Sequence, residues 1–137
     1  MKIARILIAG VAVTIFNMVV GMVTCGGLFS WVYKVEPVNV WKQMSGPPGV
    51  GFLAGTFILS AILALIYAVL QKSLPGKNKF AKGFVFGLFV WAVGILPGML
   101  ATYEFMNISN VWIIYMTILG LIENPLKGII IAFIYGE

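Results

Sequence analysis

Apolar residues fill four long stretches of the chain, about Ile6–Phe29, Val50–Leu70, Phe84–Phe105 and Val111–Tyr135, and most polar residues lie between them. A helix needs roughly 20 apolar residues to cross the hydrocarbon of a bilayer. The pattern therefore predicts membrane-spanning helices over about 4–32, 49–71, 81–106 and 110–135. Together they make an all-α, four-helix transmembrane bundle, a single domain over residues 1–137. The first stretch opens on Lys2 and Arg5 as a signal peptide would, but its apolar run exceeds the 7–15 residues of a signal core and is read as a mature helix.

Small residues mark the faces on which these helices are expected to meet. In the first span Gly10, Thr14, Asn17, Gly21 and Thr24 follow the spacing of a packed seam. The second opens with Gly51 and Gly55 in a GxxxG pattern. The third places Gly83, Gly87, Gly94 and Gly98 within about 60° of one face at 100° per residue. Pro97 is expected to bend that helix and free a carbonyl near Gly94–Leu96. Lipid offers no hydrophobic drive between helices, so small residues that let backbones approach are the usual basis of contact.

The fourth span is the least hydrocarbon-like. Gly120-Leu121-Ile122-Glu123-Asn124-Pro125-Leu126-Lys127-Gly128 brings an acid, an amide, a proline and a base to membrane depth. Insertion scales put a central charge at about 2.5–3.5 kcal/mol, so such groups are expected to be paired or functional. Glu123 and Lys127 are an i, i+4 pair in the favourable order. Pro125 removes the hydrogen bond to the Leu121 carbonyl. Asn17, Thr56, the Gly94–Pro97 break and Glu123, Asn124 and Lys127 all fall near mid-membrane and are expected to form one polar layer. Glu123 is expected to bond both Lys127 and Asn17.

The connections add orientation. Lys2, Arg5, Lys72, Lys77, Lys79 and Lys82 lie on one side, against Lys34 and Lys42 offset by Glu36 and Glu104 on the other. The bias of Lys and Arg toward the cytoplasm places both termini there, in an inner membrane. Lys72, Lys77, Lys79 and Lys82 are candidate contacts for anionic lipid head groups. The first connection, about Tyr33–Gly49, carries Trp31, Tyr33 and Trp41 as an interfacial aromatic belt, with Trp112 anchoring the same side. Within it Val38–Met44 is expected to form a short surface helix. A shift of 77 positions brings Arg5, Gly10 and Gly21 onto Lys82, Gly87 and Gly98, and a shift of 68 brings Leu63–Tyr67 onto Ile131–Tyr135. The two hairpins are thus expected to be tandem repeats related by an axis along the membrane normal.

Composition narrows the chemistry. The chain is 61% hydrophobic and 9% charged, against about 25% charged in soluble domains. Its net +5 comes from lysines beside the spans, which points away from nucleic acid and toward the bilayer as partner. With no histidine, no aspartate and one cysteine, Cys25, neither a metal, a cofactor nor a dithiol relay is expected. Three functions compete. A structural or accessory subunit, associating with other membrane subunits or with itself, uses Glu123 only to hold the bundle. A small transporter or channel uses a midplane site around Glu123. A lipid-modifying enzyme ranks last, since no second carboxylate lies near Glu123, and no enzymatic activity is expected.

Lys82-Gly83-Phe84-Val85-Phe86-Gly87, Trp91-Ala92-Val93-Gly94-Ile95-Leu96-Pro97-Gly98, and Lys127-Gly128 with Ile131-Ala132-Phe133-Ile134-Tyr135 make residues 82–137 resemble the small uncharacterised four-helix membrane proteins of bacteria. That resemblance implies a four-helix membrane fold and no particular activity. Small multidrug-resistance exporters carry their essential glutamate in the first helix, where this chain has Asn17.

Overall fold

The computed structural model describes residues 1–42 and 46–136, which are helical wherever they are regular. Helix α1 is Ile3–Val23, α2 is Val50–Leu70, α3 is Lys79–Val90, α4 is Leu96–Phe105 and α5 is Asn110–Tyr135. Wide π turns extend α1 through Thr24–Leu28 and join α3 to α4 through Trp91–Ile95. Four spans long and apolar enough to cross a membrane result: Ile3–Leu28, Val50–Leu70, Lys79–Phe105 and Asn110–Tyr135. Many large apolar side chains point outward, among them Ile15, Leu59, Phe89 and Ile122, as expected where acyl chains are the solvent.

Helix α5 is the hub and packs on α1, α2, α3 and α4. Its buried stripe is Gly120, Asn124, Gly128, Ile131 and Tyr135, spaced as one helical face and holding both of the span's glycines together with Asn124. Against that stripe α3 comes to backbone contact. A Cβ on Gly83 would lie 2.6 Å from the Gly128 carbonyl and 2.7 Å from Ile129 Cα. One on Gly87 would strike the Asn124 carbonyl and Pro125, and one on Gly128 would strike the Gly83 carbonyl. Helix α1 meets α2 less tightly, Gly10 lying against Ala61, where a Cβ would sit 3.1 Å from Cα.

The core fills only one end of the bundle. Ile6, Ala9 and Val13 of α1 meet Ala64 and Tyr67 of α2, Leu74, Phe86 of α3, and Ile131, Ala132 and Tyr135 of α5. Tyr67 packs edge-on against Phe86 and Tyr135, at ring separations of 5.3 and 6.3 Å. All lie toward the end that carries Lys2, Arg5, Lys72, Lys77, Lys79 and Lys82, the basic end. There Arg5 donates to the Tyr135 carbonyl at 2.9 Å, satisfying one of the orphan carbonyls that end α5.

At the opposite end the expected packing is not found. No described residue lies within 4 Å of a Cβ placed on Gly21, Gly51 or Gly55. Helices α1 and α2 therefore diverge beyond mid-membrane instead of running as a closed seam. Gly94 and Gly98 are exposed in the same way. Their displacement has a mechanical cause: a π turn closes i to i+5 and carries one residue more than α-helix phasing allows. The inward face consequently moves one position along, from Gly94 and Gly98 to the half-buried Ile95 and Met99. The turn also suits Pro97, because the Leu96 N–H already bonds five residues back to the Trp91 carbonyl.

The first loop also differs from expectation. Regular α-helix ends at Val23 and the span at Leu28, short of 32; Thr24 donates its hydroxyl to the Val20 carbonyl at 2.6 Å and Gly26-Gly27 follow within the π turn. A 3₁₀ turn, Ser30–Lys34, completes the segment. Val38–Trp41 form a turn instead of the surface helix, and Gln43 and Met44 lie outside the described residues. Trp41 is held there by its ring, which packs against Tyr33 at 5.0 Å and Trp112 at 5.3 Å. Of the expected belt, Tyr33, Trp41 and Trp112 turn inward on one another, while Trp31 remains exposed.

Candidate functional site

Directly beyond the core, at mid-membrane, lies a cavity of about 270 Å³ between α1, α2 and α5. Val13, Leu59 and Leu63 form its apolar wall, and Asn17, Thr56, Ser60, Asn124 and Lys127 face it with polar groups. The volume corresponds to roughly nine water molecules at about 30 Å³ each.

Each polar side chain arrives by a local rule. Thr56 and Ser60 are i, i+4 on α2, and Thr56 donates to the Phe52 carbonyl at 2.8 Å. Asn124 is buried, at 6% exposure, and its amide donates to the Gly120 carbonyl at 2.8 Å, one turn back in the stretch that Pro125 interrupts. Lys127 lies a turn beyond Gly120–Asn124 toward the basic end, and its ammonium bonds Glu123 Oε2 at 3.3 Å. The two side chains of that pair are 15% and 19% exposed.

Two of the cavity's polar side chains have no hydrogen-bond partner among the described residues, as is true outside it of the buried Trp41 and Trp112 indole N–H groups. Ser60, 3% exposed, and Asn17 make no side-chain hydrogen bond among the described residues, although both line the cavity. Ser60 is buried and Asn17 half-buried, and a buried polar side chain nearly always has a partner, protein or water, so this wall leaves a hydroxyl and a carboxamide open to a guest. The arrangement offers two hydroxyls, two carboxamides and an ammonium within one small volume. It provides for binding and orientation. No group of three or more His, Cys, Asp or Glu capable of holding a metal occurs among the described residues.

The expected polar layer is therefore partly assembled. Asn17, Thr56, Asn124 and Lys127 share the cavity. Glu123 does not line it, and among the described residues its carboxylate bonds Lys127 and not Asn17. The Gly94–Pro97 break lies outside it, since α1, α2 and α5 wall the cavity and the third span contributes no residue to it. Ser60 was missed, although its place four residues after Thr56 signals the same face.

A second, larger space of about 550 Å³ continues toward the end opposite the lysines. Its walls are mostly apolar and include Met18, Gly21, Met22 and Phe52, with Asn17 common to both spaces. The divergence of α1 from α2 creates it. At its far end Tyr33 donates to Cys25 Sγ at 3.1 Å, and Tyr33 and Tyr115 stack edge to face at 6.4 Å. Burial pushes the Tyr33 phenol far above the usual tyrosine range, and its bond to Cys25 adds to the shift. On the third span Trp91 ties its π turn to α5, donating to the Thr117 carbonyl at 2.9 Å.

Comparison with protein-family models, curated proteins and solved structures finds no match to this chain.

Proposed function

We propose that this membrane protein is of the transport type, with the mid-membrane cavity as the binding site for a small polar solute. The unsatisfied Asn17 and Ser60 side chains beside Lys127 carry this reading, because a bundle held together only by packing would bond or exclude them. The asymmetry of the bundle supports it. A packed core closes the basic end, and the divergence of α1 from α2 opens the other. With the lysine-rich end at the cytoplasm, the site faces outward, and translocation would require α1 and α2 to close above it and open below. Glu123 serves as the counter-ion that holds Lys127 in place, instead of binding the solute itself.

The test needs no knowledge of the solute. In a Cys25→Ser background, Ser60→Cys should react with a membrane-impermeant methanethiosulfonate applied from outside the cell, because water reaches the cavity. Ile58→Cys, on the lipid-facing side, and Ala64→Cys, in the core, should stay unlabelled. A folded Ser60→Cys that is unreactive from either side would defeat the proposal.

A second reading, an accessory subunit, has its own observation. No described residue lies within 4 Å of a Cβ added at Gly51, Gly55, Gly94 or Gly98, and small residues are where transmembrane helices approach one another. Reproducible copurification of one membrane protein in mild detergent, lost in Gly55→Leu or Gly98→Leu, would favour it.

A further inference from the structure

At the basic end, on the outer side of the α3–α5 hairpin, Lys77, Asn78, Lys79, Phe80 and Phe133 enclose a groove of about 460 Å³. Its construction is two-sided. Phe80 and Phe133, 56% and 60% exposed, form an apolar shelf where the spans meet the interface. Lys77 and Lys79 stand at its rim, and neither forms an ion pair among the described residues. Asn78 turns its side chain to the Ala81 N–H at 2.8 Å, fixing the start of α3 between the two lysines.

No acid among the described residues lies at this end, Glu137 lying outside them. Glu36 and Glu104 belong to the opposite loops and Glu123 to mid-membrane. Two cations beside an exposed aromatic shelf, at the depth where head groups meet acyl chains, call for an anion that carries a hydrocarbon tail. We infer that this groove binds an anionic phospholipid, its phosphate between Lys77 and Lys79 and an acyl chain across Phe80 and Phe133. The groove thus selects two of the four lysines that the sequence offers for this role. Lys72 and Lys82 do not line it. The inference is independent of the transport reading, since the groove lies on a different face from the cavity.

The experiment is native mass spectrometry of the protein released from nanodiscs of mixed phosphatidylcholine and phosphatidylglycerol. The wild type should retain phosphatidylglycerol in preference. Removing a lysine near a membrane surface weakens such attraction about fivefold, so Lys77→Gln and Lys79→Gln should each reduce retention by about that factor. Lys72→Gln should leave retention unchanged, and Phe133→Ala should reduce it without altering charge. Unfolding midpoints in detergent verify that each variant folds. Equal retention by the Lys77→Gln/Lys79→Gln double variant would overturn the inference. So would an equal loss in Lys72→Gln, which would make the attraction a diffuse property of the whole end. Excess glycerol phosphate should fail to displace the lipid; full displacement would mean that the site reads phosphate alone, and would also overturn it.

Discussion

Replacing Gly87 by alanine and Gly98 by alanine adds the same methyl group to the same span, yet the two changes should act with opposite sign. A Cβ on Gly87 would lie 2.5 Å from the Asn124 carbonyl carbon, where carbon atoms normally rest about 3.5–4.0 Å apart. The obstacle is backbone, so no side chain can rotate away, and α3 must retreat by roughly 1 Å. Retreat loosens the neighbouring contacts at Gly83 and Gly128 as well. Overpacking typically costs about 1–3 kcal/mol, and this site belongs at or beyond the upper end. A Cβ on Gly98 would have no described residue within 4 Å, and Gly98 lies inside α4, where alanine should stabilise by about 0.5–1 kcal/mol by restricting the unfolded chain. The two variants should differ by about 4 kcal/mol, close to three powers of ten in the unfolding equilibrium. Reversible unfolding in mixed micelles, driven by a denaturing detergent and followed by tryptophan fluorescence, measures both. A Gly87→Ala protein within about 0.5 kcal/mol of wild type would refute the backbone contact, since that is the scatter of ordinary surface changes. A Gly98→Ala protein as damaged as Gly87→Ala would refute the rotation of the outer half.

The Glu123–Lys127 pair should emerge from a double-mutant cycle in the same assay: Glu123→Leu destabilises by about 1–3 kcal/mol, and adding Lys127→Leu restores most of the loss. Simple additivity would mean that the two side chains do not depend on each other. The raised Tyr33 phenol is an acid that ionises less readily in the folded chain, so its contribution to stability is complete below the ordinary tyrosine value of 10.0 and is lost as pH rises above it. Stability should therefore fall in that range, and Tyr33→Phe should flatten the fall; an unchanged pH profile would count against the burial argument. Reporter fusions after Glu137 or within Gly76–Lys79 should report cytoplasm, and one within Asn39–Ser45 the outside. A periplasm-active phosphatase fused at Glu137 would reverse the assignment of the open end.

What the sequence discloses and what it conceals divide on physical grounds. Four spans were legible because hydrocarbon length is a one-dimensional property. The convergence of Asn17, Thr56, Asn124 and Lys127 was legible from depth alone, since residues equally far from one interface must lie in one layer. Facing was harder. Gly10, Gly83 and Gly87 do meet a neighbouring backbone, but the same periodicity assigned Gly94 and Gly98 to that face, and periodicity cannot register a π turn. Gly120 and Gly128, absent from the expected contacts, are among the most enclosed: a Cβ on Gly120 would lie 3.2 Å from Trp91 and Ile95. They were overlooked because their neighbours Glu123 and Lys127 look like a chemical site before they look like a packing surface. The divergence of α1 from α2 left no mark in composition either, since a glycine facing space and one facing a helix are spelled alike.

The π turn at Trp91–Ile95 gives this span an unusual tolerance. Deleting one residue from a transmembrane helix ordinarily turns everything beyond it by about 100° and ruins its contacts. Here, loss of Val93 would convert the wide turn to ordinary α-helix and bring Ile95 and Met99 into the positions that α-helical phasing already directs at α5. The contacts on both sides would survive, and the consequence would be confined to Pro97, whose ring would meet a narrower turn and bend the helix. A related chain one residue shorter at this point would thus be expected to keep its interior intact, exchanging a wide turn for a kink.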